Sequence, residues 1–277
     1  MTEPSHNPMQ TALVQRFSDA PAIPEGIAGI TALSAMAGRG SCRAFRQEPV
    51  PDDLLATLCA IALSAPSKSD LQQRDIILLR APHKRRALAE LVSGQAWVAG
   101  APMIAVVCAN NRRQRLLHDW RGIPFENDHF DAPFNAATDA AIALGALTIA
   151  AEAAGLGCCP ISAVRNRAKE VSDLLELPQH VFPFAGLAIG YPAQTPQITP
   201  RLPLSVTCHT DRYCEDGVQA AVDAYDTRRQ DFTEQRFADV FGTADSYGWS
   251  DDKVRQYSQP ERAGFGAFLR RKGFCLD

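Results

Sequence analysis

The chain has 277 residues, 46% of them hydrophobic, and a formal net charge of −3 at pH 7. This size suits one elaborated domain or two small ones with a large core, and the acidic balance argues against a nucleic-acid scaffold, which relies on clustered Lys and Arg. The eight cysteines form no C-x-x-C pair and read as reduced packing residues. Residues 1–30 lack the basic and apolar regions of an export signal. The strongly apolar run 140–151 is shorter than the roughly twenty residues that span a bilayer. A soluble, cytoplasmic protein with no membrane or nucleic-acid partner is expected.

Residues 1–26 are polar and proline-punctuated, which predicts a loosely ordered extension. Residues 27–37 suit a short helix. The next starts at Pro51-Asp52-Asp53 with Asp as N-cap, carries Leu54, Leu55, Leu58, Ile61 and Ala62 on one face, and stops at Pro66. Residues 75–80 read as a buried strand. Residues 82–92 read as a basic amphipathic helix with Leu88, Leu91 and Val92 inward. Residues 103–109 are apolar on both faces, as a central strand covered by helices requires. A helix over 112–119 and a charged, aromatic loop over 122–133 follow. The Ala-rich helix 135–154 ends at Gly155, which suits a left-handed cap; it is apolar nearly all round and needs cover on more than one side. A strand over 158–162, a helix over 166–175 and a strand over 184–189 lead to a proline-rich tract ending at Pro203. Helices are then expected over 216–229, 233–241 and 260–272. Strands interleaved with helices give an α+β or mixed α/β three-layer domain.

Two clusters carry chemistry. In Arg39-Gly40-Ser41-Cys42-Arg43, two guanidiniums and a hydroxyl suit a phosphate, because arginine grips two oxygens at once. In the stretch from Ser64 to Gln72, small hydroxyls and an amide in a proline-marked loop suit the polar edge of a flat heteroaromatic ligand. With Gln95, the segment 155–166, and Gly190-Tyr191-Pro192 followed by Pro200-Arg201-Leu202-Pro203-Leu204, these clusters resemble the nitroreductase family of FMN-dependent oxidoreductases. The likeness is closer to its oxygen-insensitive NADPH nitroreductase and NADPH flavin reductase branch. It runs over about residues 30–213 and more faintly in the tail.

The resemblance implies an α+β fold, a three-layer α/β/α sandwich with a mixed central sheet, homodimeric, with a helical C-terminal excursion. The corresponding organisation is an extension over 1–26, an FMN-binding core over 27–204 and a helical arm over 205–277. It assigns the FMN phosphate to Arg39, Ser41, Arg43 and Arg201. Ser67, Ser69 and Gln72 would meet the flavin from the partner subunit, with Gln95 beside the ring edge. Backbone at Pro160, Ile161 and Ser162 would cross the ring, where amides stabilise the reduced anion. The implied activity is hydride transfer from NADPH or NADH through FMN to a nitroaromatic, quinone or similar flat small-molecule acceptor. The alternatives are a flavin reductase and a non-catalytic FMN-binding protein.

The chain departs from the family pattern at several places. Gly40 and Thr199 stand where the branch often has basic residues, Lys68 interrupts a run of small residues, and Pro160, Ser162 and Ala163 replace a frequent tyrosine and glycines. Cys158 and Cys159 have no histidine nearby in sequence and read as packing residues. His118-Asp119 and His129-x-Asp131 lack metal-ligand spacing, so no metal is expected. Trp120, Phe125, Phe130 and Phe134 either pack the long helix or wall the open face of the flavin. The stretch 242–250 carries Asp245 and no basic residue, which predicts that NADH serves as well as NADPH or better unless Arg236 or Lys253 reaches over.

Overall fold

The computed structural model describes residues 7–92, 95–229 and 231–277. In chain order the helices and strands are α1 (Pro8–Arg16), α2 (Ile30–Gly38), α3 (Asp52–Leu63), β1 (Arg74–Leu79), α4 (Pro82–Leu91), β2 (Met103–Asn110), α5 (Arg112–Arg121) and α6 (Asp131–Ala153), followed by β3 (Gly157–Ile161), α7 (Ala168–Leu174), β4 (Val181–Gly190), α8 (Leu204–Thr207), α9 (Val218–Arg228), α10 (Ala238–Phe241), α11 (Trp249–Tyr257) and α12 (Phe265–Arg271). They fall into two compact units: residues up to Gly40 with Gln197–Glu261, and Ser41–Pro196 with Arg262–Asp277. The expected boundaries at 27–204 and 205–277 divide the chain differently. The last segment belongs with the sheet because Phe268, Leu269 and Phe274 pack with Ala136, Ala140 and Phe182.

The sheet unit has three layers, as expected. β2 alternates in sequence between the two covers, which is why it reads as an unbroken apolar run. Ile104, Val106 and Cys108 pack with Leu88 of α4 and Val171 of α7, while Met103 and Ala105 pack with Leu55 and Leu58 of α3 and Leu147 of α6. The strand order is β1-β2-β4-β3, and every ladder is antiparallel. The expected mixed sheet is therefore corrected: among the described residues the parallel pairing is the isolated bridge Ser41↔Cys158. The register of β4 against β2 shifts between Val107 and Cys108, leaving Phe184 as the extra residue beside Pro183. A bulge is where a strand tolerates a residue without an N–H, and Arg165 donates to the Phe184 carbonyl there.

α6 starts four residues earlier than expected and ends in a Schellman motif. Gly155 has φ 81°, its N–H donates to the Glu152 carbonyl, and the Leu156 N–H donates to the Ala151 carbonyl. Its 23 residues, with a mean hydropathy of 1.4 in the most apolar window, are long and apolar enough to cross a membrane, which the twelve-residue run did not suggest. In this fold it is a core helix. Ala136, Ala140, Ala143, Leu147 and Ala151 are buried, while Phe134, Ile142 and Ile149 on the opposite side are 55%, 37% and 40% exposed. At α3, Pro51 rather than an aspartate is the N-cap, and Asp52 and Asp53 occupy the first turn, where carboxylates favour the positive helix end.

The second unit corrects the expectation of a loosely ordered extension over 1–26; residues 1–6 lie outside the described residues. α1 is a capped helix. The Asn7 side chain accepts from the Met9 N–H at 3.0 Å, and Pro8 occupies the first turn. The following segment is tied down as well. Gln10 exchanges hydrogen bonds with the Pro21 carbonyl and the Ile23 N–H. Asp19 accepts from the Leu204 and Ser205 N–H groups at 2.8 and 2.9 Å. Helix 233–241 shrinks to Ala238–Phe241 because Phe237 is left-handed, with φ 49°. α11 was not foreseen; its start is marked by Asp251, which accepts from the Gly248 N–H at 3.0 Å.

Candidate functional site

At the β3 edge the sheet unit gathers several of the expected residues. Ser41 bridges Cys158, and the Cys42 N–H donates to the Cys158 carbonyl at 2.9 Å. Gly157 permits this approach, since a Cβ there would stand 2.6 Å from the Cβ and Sγ of Cys42. The contact extends to the Gly190-Tyr191-Pro192 signature: the Arg46 N–H donates to the Tyr191 carbonyl at 2.8 Å, and the Ala193 N–H to the Ala44 carbonyl at 2.9 Å. The Arg43 guanidinium lies 5.9 Å from the centre of the Trp97 ring. That ring stands in the turn Ala96–Gly100, which Gln95 opens. Pro160 is exposed on the edge strand, Ile161 is fully buried, and Ser162 is exposed. Neither Ser162 nor Ala163 has a positive φ, so replacing glycine there strains no backbone. Arg262, which no local motif marks, donates to Asn166 Oδ1 at 2.7 Å and to the Ser162 hydroxyl at 3.4 Å.

Ser67, Ser69 and Gln72 lie elsewhere. They precede β1, at the opposite edge of the sheet. Three strand spacings, roughly 14 Å, separate the edges, and both intervening faces are covered by helices. Ser69, Asp70 and Gln72 have φ of 49°, 56° and 52°, a strained run for residues with side chains. Buried Asp139 of α6 holds the loop by accepting from the Lys68 and Gln73 N–H groups at 2.9 and 2.8 Å. Arg74 Nη1 stands 4.0 Å from the same carboxylate, and its Nη2 donates to the Leu63 and Ala65 carbonyls. Gln114 and Arg113 fasten the Leu71 and Gln72 carbonyls at 2.6 Å each.

In the other unit, Arg39 and Arg201 face one cavity of about 480 Å³, together with Arg16, Phe17, Met36 and Thr207. A separate cavity of about 620 Å³ is lined by Asp226, Arg229, Asp245, Tyr247 and Asp251 among others. The two basic residues considered for the 242–250 stretch are engaged with buried Asp252: Arg236 Nε at 2.7 Å and Lys253 Nζ at 2.6 Å. Burial alone would raise the Asp252 carboxyl, yet Lys253 and Arg236 hold it below its ordinary value. The Arg236 N–H donates to the Tyr247 hydroxyl at 3.1 Å, and the Arg255 side chain also reaches the stretch, donating to the Gly242 carbonyl at 2.9 Å and lying 5.1 Å from the Tyr247 ring centre.

The aromatic cluster does not pack beneath the long helix. Trp120, Phe130 and Phe134 are 69%, 53% and 55% exposed, and Phe125 sits under the Arg115 guanidinium at 4.7 Å. Cys42, Cys108, Cys158 and Cys159 are buried, and burial pushes the Cys108 thiol up to about 12. At the C-terminal segment, His180 Nε2 donates to the Gly273 carbonyl at 2.9 Å. Burial and the nearby Arg115 guanidinium lower its basicity.

A three-layer α/β/α unit with motif residues at both sheet edges, accompanied by a unit with paired guanidiniums, defines the class. The sequence matches the Nitroreductase family over residues 36–191 and the Nitroreductase family, C-terminal domain, over residues 199–277. It is 32% identical over 248 residues to "FMN reductase [NAD(P)H]" of Bacillus subtilis, covering 88% of this chain and 98% of the relative. It is 36% identical over 245 residues to the oxygen-insensitive NADPH nitroreductase of Salmonella typhimurium, with the same coverage. The solved structure of B. megaterium NfrA2 superposes with a TM-score of 0.81 at 32% identity, covering 89% of this chain and 98% of that one. The chain belongs to the nitroreductase family.

Proposed function

We infer that the protein is an FMN-dependent oxidoreductase that takes hydride from NADPH or NADH and delivers electrons to a nitroaromatic, quinone or similar flat acceptor. The observation that carries this reading is similarity along nearly the whole length of relatives named as NAD(P)H FMN reductase and NADPH nitroreductase. The residues present suit the cofactor. Two guanidiniums on one cavity and the Ser41–Arg43 segment match a dianionic phosphate, and the close approach at Gly157 holds that segment against β3. FMN, when bound, supplies the hydride chemistry. Arg39, Ser41, Arg43 and Arg201 are assigned to its phosphate by their motifs. Gln95 and the backbone of Pro160, Ile161 and Ser162 orient the ring, and the buried thiols take no part.

The site is completed by a second copy of the chain. The Ser67–Gln72 loop and the β3 edge cannot meet one flavin within a single sheet, because helices cover both faces between them. The exposed apolar side of α6 supplies a surface for pairing, and we place the dimer in the cytoplasm. A flavin reductase that hands reduced flavin to another enzyme is the second reading, favoured by the name of the Bacillus relative. The test is anaerobic addition of NADPH and NADH to the purified yellow protein. Bleaching of the bound flavin followed by recovery with a quinone is expected. Flavin that stays oxidised with both nucleotides would sink the enzyme reading and leave a non-catalytic FMN-binding protein.

A further inference from the structure

The cavity bearing Arg39 and Arg201 is held together by a residue that precedes the family match, which begins at residue 36. Arg16, at the end of α1, is 8% exposed. Its guanidinium donates to the Ala37 carbonyl through Nε at 3.4 Å and Nη2 at 3.0 Å, to the Arg39 carbonyl at 2.5 Å and to the Thr199 carbonyl at 3.2 Å. Its own carbonyl accepts from the Arg201 N–H at 2.7 Å. A single residue thus fastens the two separate segments that present Arg39 and Arg201.

The position also matters electrostatically. The Ala37 and Arg39 carbonyls lie at the C-terminal end of α2, where acceptors lack helix partners and the helix presents partial negative charge. An anion in the cavity would meet that charge. A guanidinium bonded to those carbonyls satisfies them and turns the potential of the wall positive. α1 is itself anchored on both sides of Arg16. Arg228 donates to the Val14 and Gln15 carbonyls at 2.7 Å each, and Asp19 caps α8 just beyond Arg201.

We propose that Arg16 is a positioning residue of a phosphate-monoester site, holding Arg39 and Arg201 on one cavity and cancelling the negative end of α2. The proposal rests on the phosphate role given above to Arg39 and Arg201. The phosphate monoester is that of FMN or the 2′-phosphate of NADPH, and the experiment separates the two.

Affinities for FMN and for riboflavin, which lacks the phosphate, are measured by flavin fluorescence on the wild type, Arg16→Ala and Arg16→Lys. NADPH and NADH rates are measured alongside. The wild type should favour FMN strongly. Arg16→Ala should weaken FMN by about tenfold or more with riboflavin unchanged. Arg16→Lys should recover part of the loss, since an ammonium keeps the charge but cannot fork to three carbonyls. An unchanged FMN preference with a reduced NADPH-to-NADH rate ratio assigns the site to the reductant and still supports the proposal. Equal losses for FMN and riboflavin in both variants mean a role in folding alone and overturn it, as does unaltered selectivity in Arg16→Ala. A wild type that distinguishes neither pair removes the phosphate site itself, and the role of Arg16 with it.

Discussion

At the scale of single residues, Gly157 governs the meeting of the Ser41–Arg43 segment with β3. Any side chain there collides with the Cβ and Sγ of Cys42, a buried residue whose N–H is fixed on the Cys158 carbonyl. Gly157→Ala should cost about 1–3 kcal/mol and loosen FMN; an unchanged urea midpoint together with unchanged flavin retention would refute this. Arg43→Ala and Arg201→Ala should each weaken FMN about tenfold or more, since a charged hydrogen bond contributes roughly 1.5–3 kcal/mol. Full flavin retention by both variants after dialysis would remove them from the phosphate site. Arg43 and Arg201 stand out in the sequence because each sits in a compact motif. Arg262 and Arg16 do not. Arg262 meets Asn166 from 96 positions away and Arg16 meets Thr199 from 183, and nothing local marks either as more than a solvated charge.

At the scale of elements, apolar runs located every strand and most helices, because burial on both faces writes itself into β2 and β4. The antiparallel course of the sheet was not legible, since a helical connection can return the chain to either end of a neighbouring strand. α1 was hidden by its polar surface, although Asn7-Pro8 is a helix-start signal. The pinning of the C-terminal segment by His180 leads to a pH effect. Its folded value lies below the ordinary 6.5, so the unfolded chain takes up the proton first. Stability is therefore complete above 6.5 and falls as pH drops through the folded value. Melting temperatures across this range should show that slope, and His180→Gln, which can still donate to the Gly273 carbonyl, should flatten it; an unflattened slope would assign the effect to other groups. For the 242–250 stretch, Asp245 in a cavity with Asp226 and Asp251 disfavours an extra phosphate. Stopped-flow reduction should give NADH a rate comparable to that of NADPH, and a hundredfold advantage for NADPH would contradict it.

For the whole molecule, the nearly all-round apolar character of α6 signalled a need for more cover than one core provides, and the structure leaves that need open on one side. Ile142 and Ile149 lie on the exposed face, with Ile61 of α3 also 53% exposed. An Ile142→Glu/Ile149→Glu variant should sediment as a monomer and lose flavin while its far-ultraviolet spectrum is kept. A flavin-loaded monomer would show that one chain completes the site.

The placement of the motif residues on opposite edges of one sheet has a genetic consequence. Every site would draw one half from each subunit, so defects in different halves can rescue one another. A chain crippled at Arg43 and a chain crippled at Ser67 and Ser69 would each be inactive alone. Mixed after dissociation, half the dimers would be hybrids, and each hybrid would hold one intact site and one doubly damaged site. Recovery of about a quarter of the wild-type activity is the ceiling for a two-fold dimer, and co-expression of two dead alleles would then restore a working phenotype.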